Sequence, residues 1–145
     1  MEGETVYDVV IIGAGIVGAM TARELAKYRL RICVLEQEND VACGATKANS
    51  AIVHAGFDAK PGTLKARLNV RGSQMMEKVA KDLGVHYQRN GSLVIGFSEE
   101  DRRTIERLLS QGKDNGVEGL RILDSAELHK LEPGLSPKAS CALYA

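Results

Sequence analysis

The chain has no tryptophan, and aromatic residues make up only 4% of its 145 positions. That scarcity argues against a platform for stacking bases. Neither sign of charge is in excess, since Lys+Arg and Asp+Glu both number 19. Such a balance gives no pointer to nucleic acid or to an anionic membrane surface. Cysteine is sparse as well: Cys33, Cys43 and Cys141 form an odd set with no C-x-x-C. A disulfide scaffold or a zinc site is therefore not expected, and no metal is assigned. Free thiols fit a reducing compartment, so the cytoplasm is the expected location. There is also no apolar run of the ~20 residues that a membrane-crossing helix needs. The most apolar stretch, V-V-I-I-G-A-G-I-V-G-A-M over residues 9–20, contains three glycines. It is not a signal peptide either, because Glu2, Glu4 and Asp8 precede it where positive charge is required.

What is present reads as a globular α/β chain with 44% apolar and 26% charged residues. Residues 6–12, V-Y-D-V-V-I-I, are continuous and β-branched, as expected of a strand buried on both faces of a parallel sheet. Gly13 stops that strand. A helical pattern follows from about Ile16 to Tyr28, with Lys27, Arg29 and Arg31 near the end its dipole makes negative. Residues 31–35, R-I-C-V-L, form a second apolar strand closed by Glu36. Together they have the size of a βαβ crossover.

Residues 37–63 read as a structured loop holding one short strand, A-I-V-H-A-G-F. A helix is expected from Leu64 to Leu83, with Leu64, Leu68, Met75, Met76, Val79 and Leu83 on one face and Gly84 just past its end. Val85–Gln88 and Ser92–Phe97 read as a hairpin around Asn90-Gly91. Ser98 is the expected N-cap of a charged surface helix running to about Gln111, with Ile105, Leu108 and Leu109 inward and ion-pair spacing outward. A strand over 120–123, a capping box from Asp124 to Glu127 and a last strand over 141–145 complete the pattern. The domain reading is 1–84 for a Rossmann-like nucleotide-binding part and 85–145 for the start of an α+β substrate domain.

Chemistry concentrates at Gly13-Ala14-Gly15-Ile16-Val17-Gly18, a G-x-G-x-x-G set between a strand and a helix. Gly13 permits the tight turn, Gly15 lets a pyrophosphate approach the backbone, and Gly18 lets helix and strand pack closely. The first-turn N–H groups and the helix dipole then face the phosphates. Glu36 lies 18 residues after Gly18, near the ~20 expected of a carboxylate that holds a ribose. It would repel a 2′-phosphate, which disfavours NADP but does not separate FAD from NAD. In the following loop, Gly44, Ala45, Thr46, Asn49 and Ser50 offer backbone donors and short polar groups suited to a phosphate and a polyol. On chemistry alone, a polar surface loop explains them equally well.

The first 36 residues resemble the amino terminus of FAD-dependent oxidoreductases of the D-amino-acid-oxidase superfamily. The block containing Asn49-Ser50, His54-Ala55-Gly56 and Lys60-Pro61-Gly62-Thr63-Leu64-Lys65-Ala66 is similar to the L-2-hydroxyglutarate dehydrogenase/oxidase branch and its FAD-linked glycerol-3-phosphate dehydrogenase relatives. The resemblance is strongest over 6–72. It implies that Gly13, Gly15, Ile16, Val17 and Gly18 hold the FAD pyrophosphate, and that Glu36, with Gln37, holds the adenosine ribose. Ala45, Thr46, Asn49 and Ser50 would line the phosphate and ribityl region. Ala51 departs from the pattern, standing where such relatives often have glycine.

The implied reaction moves a hydride from a CH–OH group of a small anionic substrate, a hydroxy acid or glycerol 3-phosphate, to the flavin. His54 would approach the flavin or substrate and take the hydroxyl proton, a task suited to an imidazole. A histidine hydrogen-bonded in the core is the alternative. His86 and His129 read as structural or exposed, Cys43 as an apolar filler, and Lys47, Lys60 and Lys65 as solvated. Enzymes of this class are more than twice as long, so an amino-terminal fragment is expected, completed by further chain or a partner subunit. The competing function is a non-catalytic nucleotide-binding fragment or subunit that takes FAD, NAD or ADP.

Overall fold

The computed structural model describes residues 6–145; the first five, including Glu2 and Glu4 of the acidic lead-in and the start of the 1–84 part, lie outside the described residues. Its contacts divide the chain into two units, Met1–Ile52 and Val53–Ala145.

In the first unit, β1 (Val9–Ile12), α1 (Ile16–Leu25) and β2 (Ile32–Leu35) form the expected βαβ crossover. β1 and β2 pair in parallel, Val9 opposite Ile32 and Ile12 opposite Leu35. α1 is shorter than its apolar pattern. It ends at Ala26, where the Ala26 amide donates back to Ala22 O and the Lys27 amide to Glu24 O, and residues 26–29 form a turn. The basic residues past it are held by neighbours rather than by the dipole alone: Lys27 pairs with Glu24, and Arg31 with Asp8. β1 is not buried on both faces. Val10 is 51% and Ile12 88% exposed, because α1 packs on the opposite face, where Ile11 meets Gly18, and no other element among the described residues packs on theirs.

The loop after β2 differs from the pattern at one point. Residues 51–57 form no strand. Ala51 takes a left-handed φ of 55° and Gly56 a φ of 108°, and both interrupt an extended run.

The second unit begins in that segment. α2 (Leu64–Leu83) has the expected bounds: the Thr63 hydroxyl accepts from the Ala66 amide at its start, and Gly84 closes it at φ 66°. Its inward face is the predicted one only in part, at the half-buried Met76 and Val79. Ala66 and Ala80 are buried, while Leu64, Leu68, Met75 and Leu83 are exposed. The missing side chain of Gly56 in the preceding coil admits Val70 of α2, whose Cγ2 would stand 2.6 Å from a Cβ there.

β3 (Leu93–Gly96), α3 (Glu99–Asp114), β4 (Arg121–Asp124), α4 (Ser125–Leu131) and β5 (Cys141–Tyr144) follow. The expected hairpin does not form. Residues 85–88 are coil, and β3 pairs instead with β5, Leu93 opposite Tyr144. Gly91 does turn the chain at φ 78°, but it turns under Tyr144, whose ring would lie 2.7 Å from any Cβ there. The sheet order is β3-β5-β4, so β3 and β4 run parallel with β5 inserted between them, a split βαβ arrangement. Side chains of β5 alternate between two layers, as the strand period requires. Cys141 and Leu143 pack with Ile105 and Leu108 of α3, and Ala142 packs with Leu128 of α4. Both helix starts are capping boxes, Ser98 with Asp101 and Asp124 with Glu127. Arg102 pairs with Glu106 on the outer face of α3, as its spacing implied.

Among the described residues, no helix is long and apolar enough to cross a membrane, and no His/Cys/Asp/Glu cluster could hold a metal.

Candidate functional site

The glycine turn lies between β1 and α1. Gly13 sits at φ 96°, open to glycine and strained for other residues, and its amide donates to Leu35 O at 2.7 Å. A Cβ on Gly18 would stand 1.9 Å from Gly13 O and 3.3 Å from Ile11 Cγ2, so helix and strand meet here through the missing side chain. Gly15 starts α1 with no side-chain cap, and the first turn of α1 has no acidic residue. No side chain of α1 itself offsets the positive end of its dipole, and Ile16 and Val17 are exposed there.

Two side chains close on this turn. The Glu36 carboxylate accepts from the Ala14 amide at 2.7 Å through Oε2, and from the Gln37 and Glu38 amides through Oε1. These donors hold its carboxyl below the ordinary glutamate range, Ala14 contributing most. A carboxylate has about four acceptor positions, so three N–H bonds leave room for a hydroxyl. The Thr46 hydroxyl accepts from the Ile16 amide at 2.9 Å, a cap supplied from 30 residues away. The first-turn amides are thus not all free for an anion, as the sequence pattern alone implied. A Cβ on Gly15 would meet that same hydroxyl at 3.1 Å. The Ala42 amide also donates to Ala14 O at 3.2 Å.

The structure therefore brings Gly13, Gly15, Ile16, Val17, Gly18, Glu36 and Thr46 together in one unit. Gln37 adjoins Glu36, with its side chain donating outward to Glu38. Asn49 shapes the loop: its Nδ2 donates to Thr46 O and its Oδ1 accepts from the Ala51 amide. Ala45 and Ser50 are exposed in the same loop, as is Cys43, which is not the apolar filler it was read as.

His54 belongs to the second unit. It is exposed in coil, neither in a strand nor packed in a core. Its carbonyl accepts from Asn69 Nδ2 at 3.1 Å. His86 is exposed in coil, and His129 on α4 lies against the Ser125 and Ser136 carbonyls, a structural position. Sequence reasoning missed Asn69, Gln111 and Asn115, whose amides all reach carbonyls of segment 54–59. Lone carboxamides on helices carry no motif by which they could have been found.

A dinucleotide fits these residues. The turn is bare where a side chain would fill it, α1 brings no acidic side chain of its own to its start, and the Glu36 carboxylate from the end of β2 is taken up by backbone amides.

Comparison with known proteins agrees with this geometry. The family model described as FAD dependent oxidoreductase matches residues 8–145. A glycerol 3-phosphate dehydrogenase of Caloramator mitchellensis is 48% identical over 139 residues, covering 96% of this chain and 29% of that protein. A mitochondrial L-2-hydroxyglutarate dehydrogenase of Dictyostelium discoideum is 38% identical, over 88% of this chain and 29% of that protein. Among solved structures, the dithionite-reduced L-alpha-glycerophosphate oxidase of Mycoplasma pneumoniae with FAD bound superimposes with a TM-score of 0.83 at 30% identity, covering 95% of this chain and 37% of that one. The chain thus spans under a third of the length of these curated relatives.

Proposed function

The chain belongs to the FAD-dependent oxidoreductase family, and from that membership we propose that it is the cofactor-gripping portion of a flavoenzyme that oxidises the CH–OH group of glycerol 3-phosphate or a small hydroxy acid. The observation that carries the proposal is the bare glycine turn with Glu36 anchored on Ala14.

Gly13, Gly15, Ile16, Val17 and Gly18 would receive the pyrophosphate against the α1 dipole. The remaining acceptor capacity of Glu36 would take a ribose hydroxyl, with Gln37 beside it. Ala45, Thr46, Asn49 and Ser50 would line the phosphate and ribityl region. The Thr46 hydroxyl, an acceptor from Ile16, keeps its own proton to donate to a phosphate oxygen. FAD, when bound, supplies the hydride acceptor. His54, exposed on an anchored backbone, would take the proton of the substrate hydroxyl. An anionic substrate follows from the relatives' names. Residues 1–84 serve the cofactor in this reading, and 85–145 open the substrate domain. Further chain or a partner subunit would cover the exposed face of β1 and complete both. Three free cysteines support a cytoplasmic setting, peripheral to a membrane if electrons pass to a quinone.

Titration of the 145-residue chain with FAD tests the proposal. A perturbed flavin absorbance and a raised melting temperature are expected, and Gly18→Ala should abolish both. Absence of both in the folded wild type would overturn it. One second reading rests on the same glycine turn and anchored Glu36: a nucleotide-binding module without catalysis of its own. That reading gains if FAD binds and neither glycerol 3-phosphate nor a small hydroxy acid reduces the flavin when the chain is completed.

A further inference from the structure

Segment 53–59 is apolar in sequence yet has no strand partner, so its carbonyls need donors other than a ladder. Carboxamides supply them. Asn69 on α2 donates Nδ2 to His54 O at 3.1 Å. Gln111 on α3 donates Nε2 to Phe57 O at 3.0 Å. Asn115, the residue that ends α3, donates Nδ2 to Gly56 O at 3.0 Å and to Ala59 O at 2.6 Å. Its Oδ1 is buried without a partner, so the two carbonyls, and not the oxygen, dictate how this amide is turned.

Close contacts reinforce the hydrogen bonds. A Cβ on Gly56 would stand 2.6 Å from Val70 Cγ2 on α2, and one on Gly112 of α3 would stand 2.8 Å from Phe57 Cβ. α2 and α3 therefore grip the segment from separate elements, while the His54 side chain points to no buried partner and remains exposed.

We propose that Asn69, Gln111 and Asn115 are positioning residues: they fix, through four backbone carbonyls, the coil that presents His54. The inference rests on the reading of His54 as a flavin-site residue, and goes beyond it by naming what aims that residue. Each group must donate, because a carboxylate of the same shape would face carbonyl oxygens with no proton to share.

The test separates the two ideas. Backbone order parameters are measured by NMR on the 145-residue chain without FAD. In the wild type, residues 54–59 should match β5 at about 0.85, and fall below about 0.6 near 54–55 in Asn69→Leu and over 56–59 in Asn115→Leu. β5 should stay unchanged, and Asn69→Gln, which keeps the donor, should restore order. If a leucine variant does not fold, Asn69→Asp and Asn115→Asp remove the donor at constant shape. Unchanged order in folded donor-less variants would overturn the proposal. A second arm adds FAD. Asn69→Leu should reproduce most of the absorbance change that His54→Ala causes. If His54→Ala changes the spectrum and a mobilised Asn69→Leu does not, the positioning role is overturned. If His54→Ala itself changes nothing, the flavin-site reading of His54 fails, and the order parameters alone decide the anchoring.

Discussion

β1 and β5 are both four-residue apolar strands, yet Cys141, Ala142 and Leu143 of β5 are at most 1% exposed, while Ile12 of β1 stands at 88%. The difference lies in their neighbours. β5 has a strand on each edge and a helix on each face; among the described residues, β1 has one strand beside it and α1 on one face. Apolar sequence makes a strand, but partners bury it. The second unit therefore owns a closed core. The first is organised around its polar turn, where hydrogen bonds from Ala14 and Ile16 to side chains do the holding.

The contrast can be broken most directly in the cores. Leu143→Ala should cost about 2–5 kcal/mol of unfolding free energy, the range for a fully buried leucine. Ile12→Ser, by the same urea titration, should stay within about 0.5 kcal/mol as an exposed substitution. Comparable losses from both would mean that β1 is buried in solution and the contrast is wrong.

Thr46→Val probes the first unit's own means of stability. Removing the remote cap on Ile16 should cost about 1 kcal/mol, within the range for helix caps, and weaken FAD binding. Thermal melts with and without FAD would read both; an unchanged melt would show that the cap contributes nothing.

Acid should also separate the units. Glu36 has a carboxyl lowered by the Ala14 amide first, so its contribution is complete above its unfolded value near about 4.3 and is lost as pH falls through the lower folded value. Asp101 behaves alike, held down by the Phe97 amide and the Ser98 side chain, but it guards a helix start beside a packed core. The Ala14 amide resonance should shift in that acid range before the β5 resonances do, and Glu36→Gln should remove the shift.

The smallest effect is expected at Ala51. Its φ of 55° disfavours any residue with a Cβ, so Ala51→Gly should stabilise the loop by roughly 0.5 kcal/mol after glycine's own entropy is counted. A loss of stability there would show that the Ala51 methyl makes a contact worth more than the strain.

The elements legible in the sequence were those whose causes are local. Gly13 and Gly18 announced the turn, Thr63 and Gly84 bounded α2, and Ser98 and Asp124 started their helices, because a cap acts within a few residues. The hairpin at Asn90-Gly91 failed for the opposite reason. A turn signal cannot weigh the pairing of Leu93 with Tyr144, 51 residues further on. Of the site, the glycines and Glu36 could be read from spacing, but not that Glu36 would take the Ala14 amide or Thr46 the Ile16 amide.

By itself, then, the sequence determined the βαβ turn, both bounds of α2, the starts of α3 and α4 and the residue types that suit a dinucleotide, since torsional freedom, caps and short periodicities are settled between near neighbours. Only the tertiary structure decided that the last strand would be the central one, that 51–57 would be coil, and that Asn69, Gln111 and Asn115 would hold the segment carrying His54. Those outcomes depend on which distant backbone groups find a partner, and a carbonyl left without a strand takes whichever donor the packed helices bring within 3 Å or so.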